Sequence, residues 1–134
     1  MRTIQLLVFF ATLLSISRVA TADVILRPCA TTPDMINVMT DGNSSRYILF
    51  YDSLDVSSVK VYNTLSALKI RRTVYIDILD IREPKTSWLR TAFEVTYVPM
   101  LSHIKWLPSG GKVVHAYPSI DFRSAALAQF LQQY

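Results

Sequence analysis

Few side chains in this 134-residue chain are chemically reactive, and that scarcity limits what it can do. There is one cysteine, Cys29, and there are two histidines, His103 and His115. Thiol–disulfide exchange needs a thiolate nucleophile and a second, resolving thiol. A single sulfhydryl cannot form an internal disulfide, so Cys29 is either an inert thiol or the donor of an intermolecular bridge. Leu26, Pro28 and Ala30 surround it with no His or Lys to depress its pKa, which favours the inert thiol. Acyl transfer would need a histidine close to a serine. His103 and His115 instead fall on the strands of a predicted hairpin, where strand packing or cross-strand pairing accounts for them. They could face each other, but two histidines alone make a weak metal signal, and neither metal nor cofactor is expected. Three glycines leave no Gly-rich phosphate loop.

The stretch best placed for chemistry is Val56-Ser57-Ser58-Val59. Tyr47 to Tyr51 is a short apolar run with β-branched and aromatic members, the pattern of a strand buried on both faces. Asp52 to Asp55 breaks it, and from Val56 apolar residues recur at helical spacing through Val59, Leu65 and Leu68, with Val61 and Tyr62 on the flanks. A loop that leaves a strand's carboxyl end and enters a helix N-terminus is where α/β proteins tend to bind ligands. Ser57 and Ser58 could hydrogen-bond an anion there, but N-capping by these serines is the simpler expectation. Asp52 and Asp55 are expected to favour the helix N-terminus from the loop.

The N-terminus reads as a secretory signal peptide, residues 1–22. Met1-Arg2 is basic, Ile4 to Ile16 is apolar, and Ala20-Thr21-Ala22 has the small-residue form of a cleavage site. The apolar run is too short for a bilayer span, and no second such run follows, so no stable membrane span is expected. Residues 23–134 then form one domain, secreted or resident in the endoplasmic-reticulum lumen; the Leu131-Gln132-Gln133-Tyr134 end has no retention tail, so export is the default. Loss of Arg2 and Arg18 lowers the net charge from +4 to about +2, too little to argue for nucleic acid. Arg71-Arg72 reads as a solvated turn. Asn43-Ser44-Ser45 is a candidate glycosylation acceptor in a polar loop.

The remaining pattern places strands at Val24 to Arg27, Thr73 to Leu79, Met100 to Leu107 and Lys112 to Tyr117. Helices are expected at Pro33 to Met39, with Thr32 as N-cap, at Thr86 to Phe93, capped by Thr86 or Ser87, and from Asp121 onward. The last of these should turn Phe122, Ala125, Leu127, Phe130 and Leu131 inward. Pro108-Ser109-Gly110-Gly111 supplies the hairpin turn. The order β-α-β-α-β-α-β-β-α predicts an α/β fold, a mixed central sheet with helices on both faces.

That order, the passage Phe93-Glu94-Val95-Thr96-Tyr97-Val98-Pro99-Met100 and the closing hairpin and helix together resemble a thioredoxin domain over essentially all of residues 23–134. The resemblance implies a cis-proline at Pro99 and, at the start of the helix after the second core strand, a C-x-x-C motif followed by lysine. With Lys60 set against that lysine, Val56 and Val59 stand in place of the cysteines; the register could slip by one residue, but no cysteine follows Cys29 in any case. The family's buried proton-carrying acid would fall at Phe50, an apolar ring that cannot do that work.

What the resemblance leaves is a peptide-binding groove formed by Val56, Ser57, Thr96, Tyr97, Val98 and Pro99. The valines either make it more apolar or simply pack the space the sulfurs vacate. The expectation is a redox-inactive, non-enzymatic binding or chaperone-like scaffold protein whose partner is a protein or extended peptide of the secretory pathway. A residual thiol role through Cys29, by mixed disulfide or disulfide-linked dimer, is the alternative, and a glutathione-type small-ligand binder a third.

Overall fold

The computed structural model describes residues 21–29, 33, 45–84 and 88–134. The leader pattern up to residue 20, the predicted helix over Pro33 to Met39, Asn43 and the caps Thr86 and Ser87 lie outside the described residues, apart from Pro33, which is helical. The described elements are β1 (Ala22–Pro28), β2 (Ser45–Tyr51), α1 (Val56–Ala67), β3 (Lys69–Ile70), β4 (Val74–Asp80), α2 (Trp88–Ala92), β5 (Met100–Trp106), β6 (Lys112–Ala116) and α3 (Ser124–Gln133).

The strands form one mixed sheet in the order β3-β1-β4-β2-β5-β6. The three central strands run parallel, with Val24 opposite Val74 and Tyr47 opposite Ile76. β2 and β4, SRYILFY and VYIDILD, are buried on both faces through their middles, as continuous apolar runs of parallel strands should be. β5 is antiparallel to β2, pairing Phe50 with Met100, and the β5–β6 hairpin sets His103 opposite His115. The two-residue β3 was not expected from sequence. Lys69 and Ile70 pair with Asp23 and Ala22, and Lys69 makes an ion pair with Asp23.

Side-chain alternation along the strands divides the core in two. On one face Tyr47, Leu49, Ile76, Ile78 and Leu101 pack with Val61 and Leu65 of α1 and Leu127, Phe130 and Leu131 of α3. On the other, Ile48, Phe50, Leu79, Met100 and Ile104 pack with Leu89, Phe93 and Trp106, and Cys29 belongs to this second cluster.

Several local expectations are corrected. The inward stripe of α1 is Ser58, Val61 and Leu65, continued by Leu68 at the C-cap; Val56 and Val59 point outward, at 83 % and 38 % exposure. The final helix starts at Ser124, not Asp121, whose backbone carbonyl instead accepts a hydrogen bond from the Tyr117 hydroxyl at 2.6 Å. Within it Ala125 faces solvent, while Ala126 and Ala128 pack on the core. α2 stops through Glu94 in the left-handed region (φ 53°), with Val95 N–H donating to the Arg90 carbonyl at 2.8 Å and Glu94 N–H to that of Thr91 at 3.1 Å. This six-to-one and five-to-two pair is a Schellman ending built without glycine. In the hairpin, Gly110 (φ 89°) does supply the left-handed residue, as its type predicts.

Candidate functional site

At the carboxyl end of β2 the chain turns through Asp52 to Asp55 into α1. Asp52 folds the loop: its carboxylate accepts from Leu54 N–H at 2.9 Å and pairs with Arg82. The Arg82 hydrogen bond, followed by that from Leu54, holds the Asp52 carboxyl below the usual range. Asp55 is the N-cap of α1, with extended backbone (φ −91°, ψ 125°) and a side-chain oxygen accepting from Ser58 N–H at 2.9 Å. Capping by Ser57 or Ser58 is therefore corrected: both lie inside the first turn, and the acid before them satisfies the exposed amide.

The loop residues separate in their environments. Val56 and Ser57 are exposed, and Ser58 is wholly buried, its Oγ without a hydrogen-bond partner. The idea that the valines fill space vacated by sulfur is overturned by the 83 % exposure of Val56. The arrangement a vicinal dithiol needs, one side chain at the helix N-cap and another sheltered three residues on, is realised by Asp55 and Ser58 rather than by Val56 and Val59. With that register the position of the buried acid moves from Phe50, 1 % exposed and packed 5.5 Å from the Phe93 ring in the cluster away from α1, to Leu49, 0 % exposed and equally apolar.

Across the sheet edge, the Val98–Pro99 peptide bond is cis. Phe50 pairs with Met100, so the register brings Val98-Pro99 to the level where β2 gives way to the Asp52–Asp55 loop. Pro99 is buried, Val98 half-buried, Thr96 exposed and Tyr97 53 % exposed. Leu54, which the sequence reading passed over as a loop residue, is 74 % exposed in the same turn. On the other flank of α1, Ser57, Lys60 and Thr64 line a cavity of about 480 Å³ closed by residues 120–124.

The other singled-out residues lie elsewhere. Cys29 is 5 % exposed, its N–H bonded to the Ile78 carbonyl at 2.9 Å, and it borders a small cavity of about 170 Å³ with Tyr51, Tyr62, Asp80 and Glu83. His103 and His115 do face each other, ring centroids 6.3 Å apart, and the Tyr134 ring stacks on both at 4.6 Å. Burial, and then the neighbouring His115, push the His103 pKa down. Among the described residues no cluster of three His, Cys, Asp or Glu side chains could hold a metal ion, and no helix is long and apolar enough to cross a membrane.

No family model matches the sequence, and no curated protein matches it. Solved structures do. The chain is similar to the thioredoxin of Malassezia sympodialis (TM-score 0.58, 11 % identity, 85 % of this chain and 93 % of that one). It is similar also to thioredoxin O1 of Arabidopsis thaliana in the oxidized state (TM-score 0.56, 18 % identity, 83 % and 96 %). The thioredoxin of Fasciola hepatica aligns with a TM-score of 0.55 at 13 % identity over 80 % of this chain and 97 % of its own. Identities this low speak for the fold and not for the chemistry. The chain has a thioredoxin fold with a single cysteine and without a C-x-x-C motif.

Proposed function

We propose that this chain is a redox-inactive thioredoxin-fold protein of the secretory pathway that binds extended protein segments, acting as a chaperone-like or scaffold module. The observation that carries the reading is the apolar surface where β2 runs into α1. Leu54, Val56 and Tyr97 stand 74 %, 83 % and 53 % exposed, next in register to the cis Val98–Pro99 bond. Exposed side chains of this size favour a partner that covers them. Thr96, Tyr97 and Val98 have backbone groups to offer an extended strand, and Val56 and Tyr97 offer contacts to its alternate side chains. With one cysteine in the chain, dithiol exchange within it has no second sulfur. Placement in the secretory pathway rests on the basic, apolar and A-x-A order of residues 1–22.

The test is fluorescence anisotropy with labelled extended peptides carrying apolar residues at alternate positions, against the wild type, Val56→Asp and Tyr97→Ala. The expectation is saturable binding weakened about tenfold or more by either substitution, since truncating a buried Tyr anchor at an interface costs about 2 kcal/mol and a factor of ten is about 1.4 kcal/mol. Equal binding by both variants, or none by the wild type, refutes the reading. A complex released only by reductant would replace it with the thiol role of Cys29, against which its 5 % exposure stands.

A further inference from the structure

The sheet is bounded on one side by β3, two residues long and flanked by the Lys69–Asp23 ion pair, and on the other by β6. β6, KVVHA, is exposed at every position. Its register with β5 runs unbroken from Lys112 to Ala116, so no bulge bends it away, and it contains no proline. Bulges, prolines and outward charges are the usual means of keeping a sheet edge from pairing. Lys112 is the one formal charge in the strand, and it is drawn aside. Its Nζ donates to the Ala92 carbonyl at 3.2 Å and lies 5.2 Å from the centre of the Phe93 ring.

The hydrogen bonds at the two ends of the hairpin fix which backbone groups remain open. Leu107 N–H donates to the Gly111 carbonyl at 2.7 Å, and Tyr117 N–H to the Leu101 carbonyl at 2.8 Å. Antiparallel ladders alternate bonded and non-bonded pairs, so between these ends the bonded pairs are Lys105 with Val113 and His103 with His115. Lys112, Val114 and Ala116 are therefore the residues whose N–H and C=O point away from β5, toward the open edge. Val113 and Val114 stand 38 % and 41 % exposed, one on each face.

A second β6 running antiparallel complements this edge when a two-fold axis passes through Val114. Val114 then exchanges both backbone bonds with Val114 of the second copy, and Lys112 exchanges them with Ala116, so each outward group gains a partner. Val113 comes opposite His115, and Lys112 opposite an alanine, at the far end of the pair from the other Lys112. Like charges directly opposite would destabilise the pairing, and this register avoids them. An axis at Lys112 would set the two lysines against each other and leave Ala116 unpaired. We propose that the β6 edge is a homodimer interface that joins two six-stranded sheets into one continuous sheet about an axis at Val114. So short an edge buries well under the roughly 1,600 Å² of a standard interface, so the dimer is weak, with a Kd on the order of 100 µM. The edge shares no residue with the apolar surface at Leu54, Val56 and Tyr97, and neither requires the other.

Sedimentation equilibrium of the protein between about 5 µM and about 1 mM, a range spanning that Kd, tests this. The weight-average mass should rise with concentration toward twice that of the monomer. Val114→Pro removes an N–H that points away from β5, the one setting in which a strand tolerates proline, so it should leave the circular dichroism spectrum unchanged and weaken association about tenfold or more. The register is tested separately in a Cys29→Ser background. Under mild oxidation Val114→Cys should give a disulfide-linked dimer, because bonded antiparallel partners lie about 5.5 Å apart between Cα atoms, within disulfide reach. Val113→Cys, opposite His115 in this register, should cross-link far more slowly. A monomer at every concentration leaves the edge to an unrelated strand and overturns the proposal, as does a dimer that Val114→Pro leaves intact or faster cross-linking through Val113→Cys.

Discussion

The start of α1 allows the roles of three neighbouring residues to be told apart by the sign of their mutational effect. Asp55 accepts from Ser58 N–H at 2.9 Å, so Asp55→Ala removes the cap and leaves that amide without its partner. Loss of such a cap costs about 1 kcal/mol, within a range of roughly 0.5–2. Ser58 is the opposite case: its Oγ is buried without a hydrogen-bond partner, and a buried unpaired hydroxyl is itself unfavourable by about 1–3 kcal/mol. Ser58→Ala removes that penalty, leaves a void of only one oxygen, and adds helix propensity worth a few tenths of a kcal/mol. Ser57 is exposed on the first turn, and Ser57→Ala should change stability by no more than about 0.5 kcal/mol. For a domain of roughly 110 residues, 1 kcal/mol corresponds to a Tm shift of about 4 °C. Urea denaturation monitored by circular dichroism, with scanning calorimetry for Tm, should therefore find Asp55→Ala lower by about 4 °C, Ser58→Ala higher by a similar amount, and Ser57→Ala unmoved. A destabilised Ser58→Ala with a neutral Asp55→Ala would refute both the cap assignment and the unpaired state of the Ser58 hydroxyl.

The same geometry predicts where a dithiol would work: Asp55→Cys with Ser58→Cys should form a reducible disulfide and reduce insulin in the presence of dithiothreitol faster than Val56→Cys with Val59→Cys, and the reverse order would place the geometry a dithiol needs one residue later. Because burial and His115 lower the His103 pKa below its unfolded value of 6.5, the folded state binds the proton less readily than the unfolded one. Stability should thus be full above pH 6.5 and fall as the pH drops below it, and thermal melts from pH 7.5 to 5 should show a shallower decline for His103→Gln; identical pH profiles would remove His103 as the cause. Cys29, 5 % exposed, should react with a maleimide slowly in the native state and rapidly in urea, whereas equal rates would contradict its burial.

Much of the architecture could be read from residue pattern because the pattern and the core describe the same burial. The continuous apolar run Tyr47 to Tyr51 became a central strand covered on both faces, and Pro108-Ser109-Gly110-Gly111 became the hairpin turn. The Asp-rich loop after β2 was placed from residue pattern and the cis-proline before β5 from the resemblance to a thioredoxin domain, and they do lie at one end of the sheet. The face of α1 was misread because hydrophobicity was taken for burial. Val56 is apolar and exposed, Ser58 polar and enclosed, and residue type alone does not reveal which way the first turn is rotated by an N-cap at Asp55. The end of α2 was expected at Phe93, one residue past its last helical residue Ala92, but not its Schellman form, since a glutamate, not a glycine, takes the left-handed position.

The sequence by itself determined the alternation of strands and helices and the lack of a second sulfur, since periodicity and residue identity are local properties of the chain. Only the tertiary structure decided which charges share a place. Arg27, Arg46 and Asp77 are unremarkable in sequence. Parallel pairing of β1, β4 and β2 sets Arg27 against Asp77 and brings Arg46 to the same carboxylate. Such a meeting depends on strand order and register, which are fixed by long-range pairing over a common core and leave no mark at any one position.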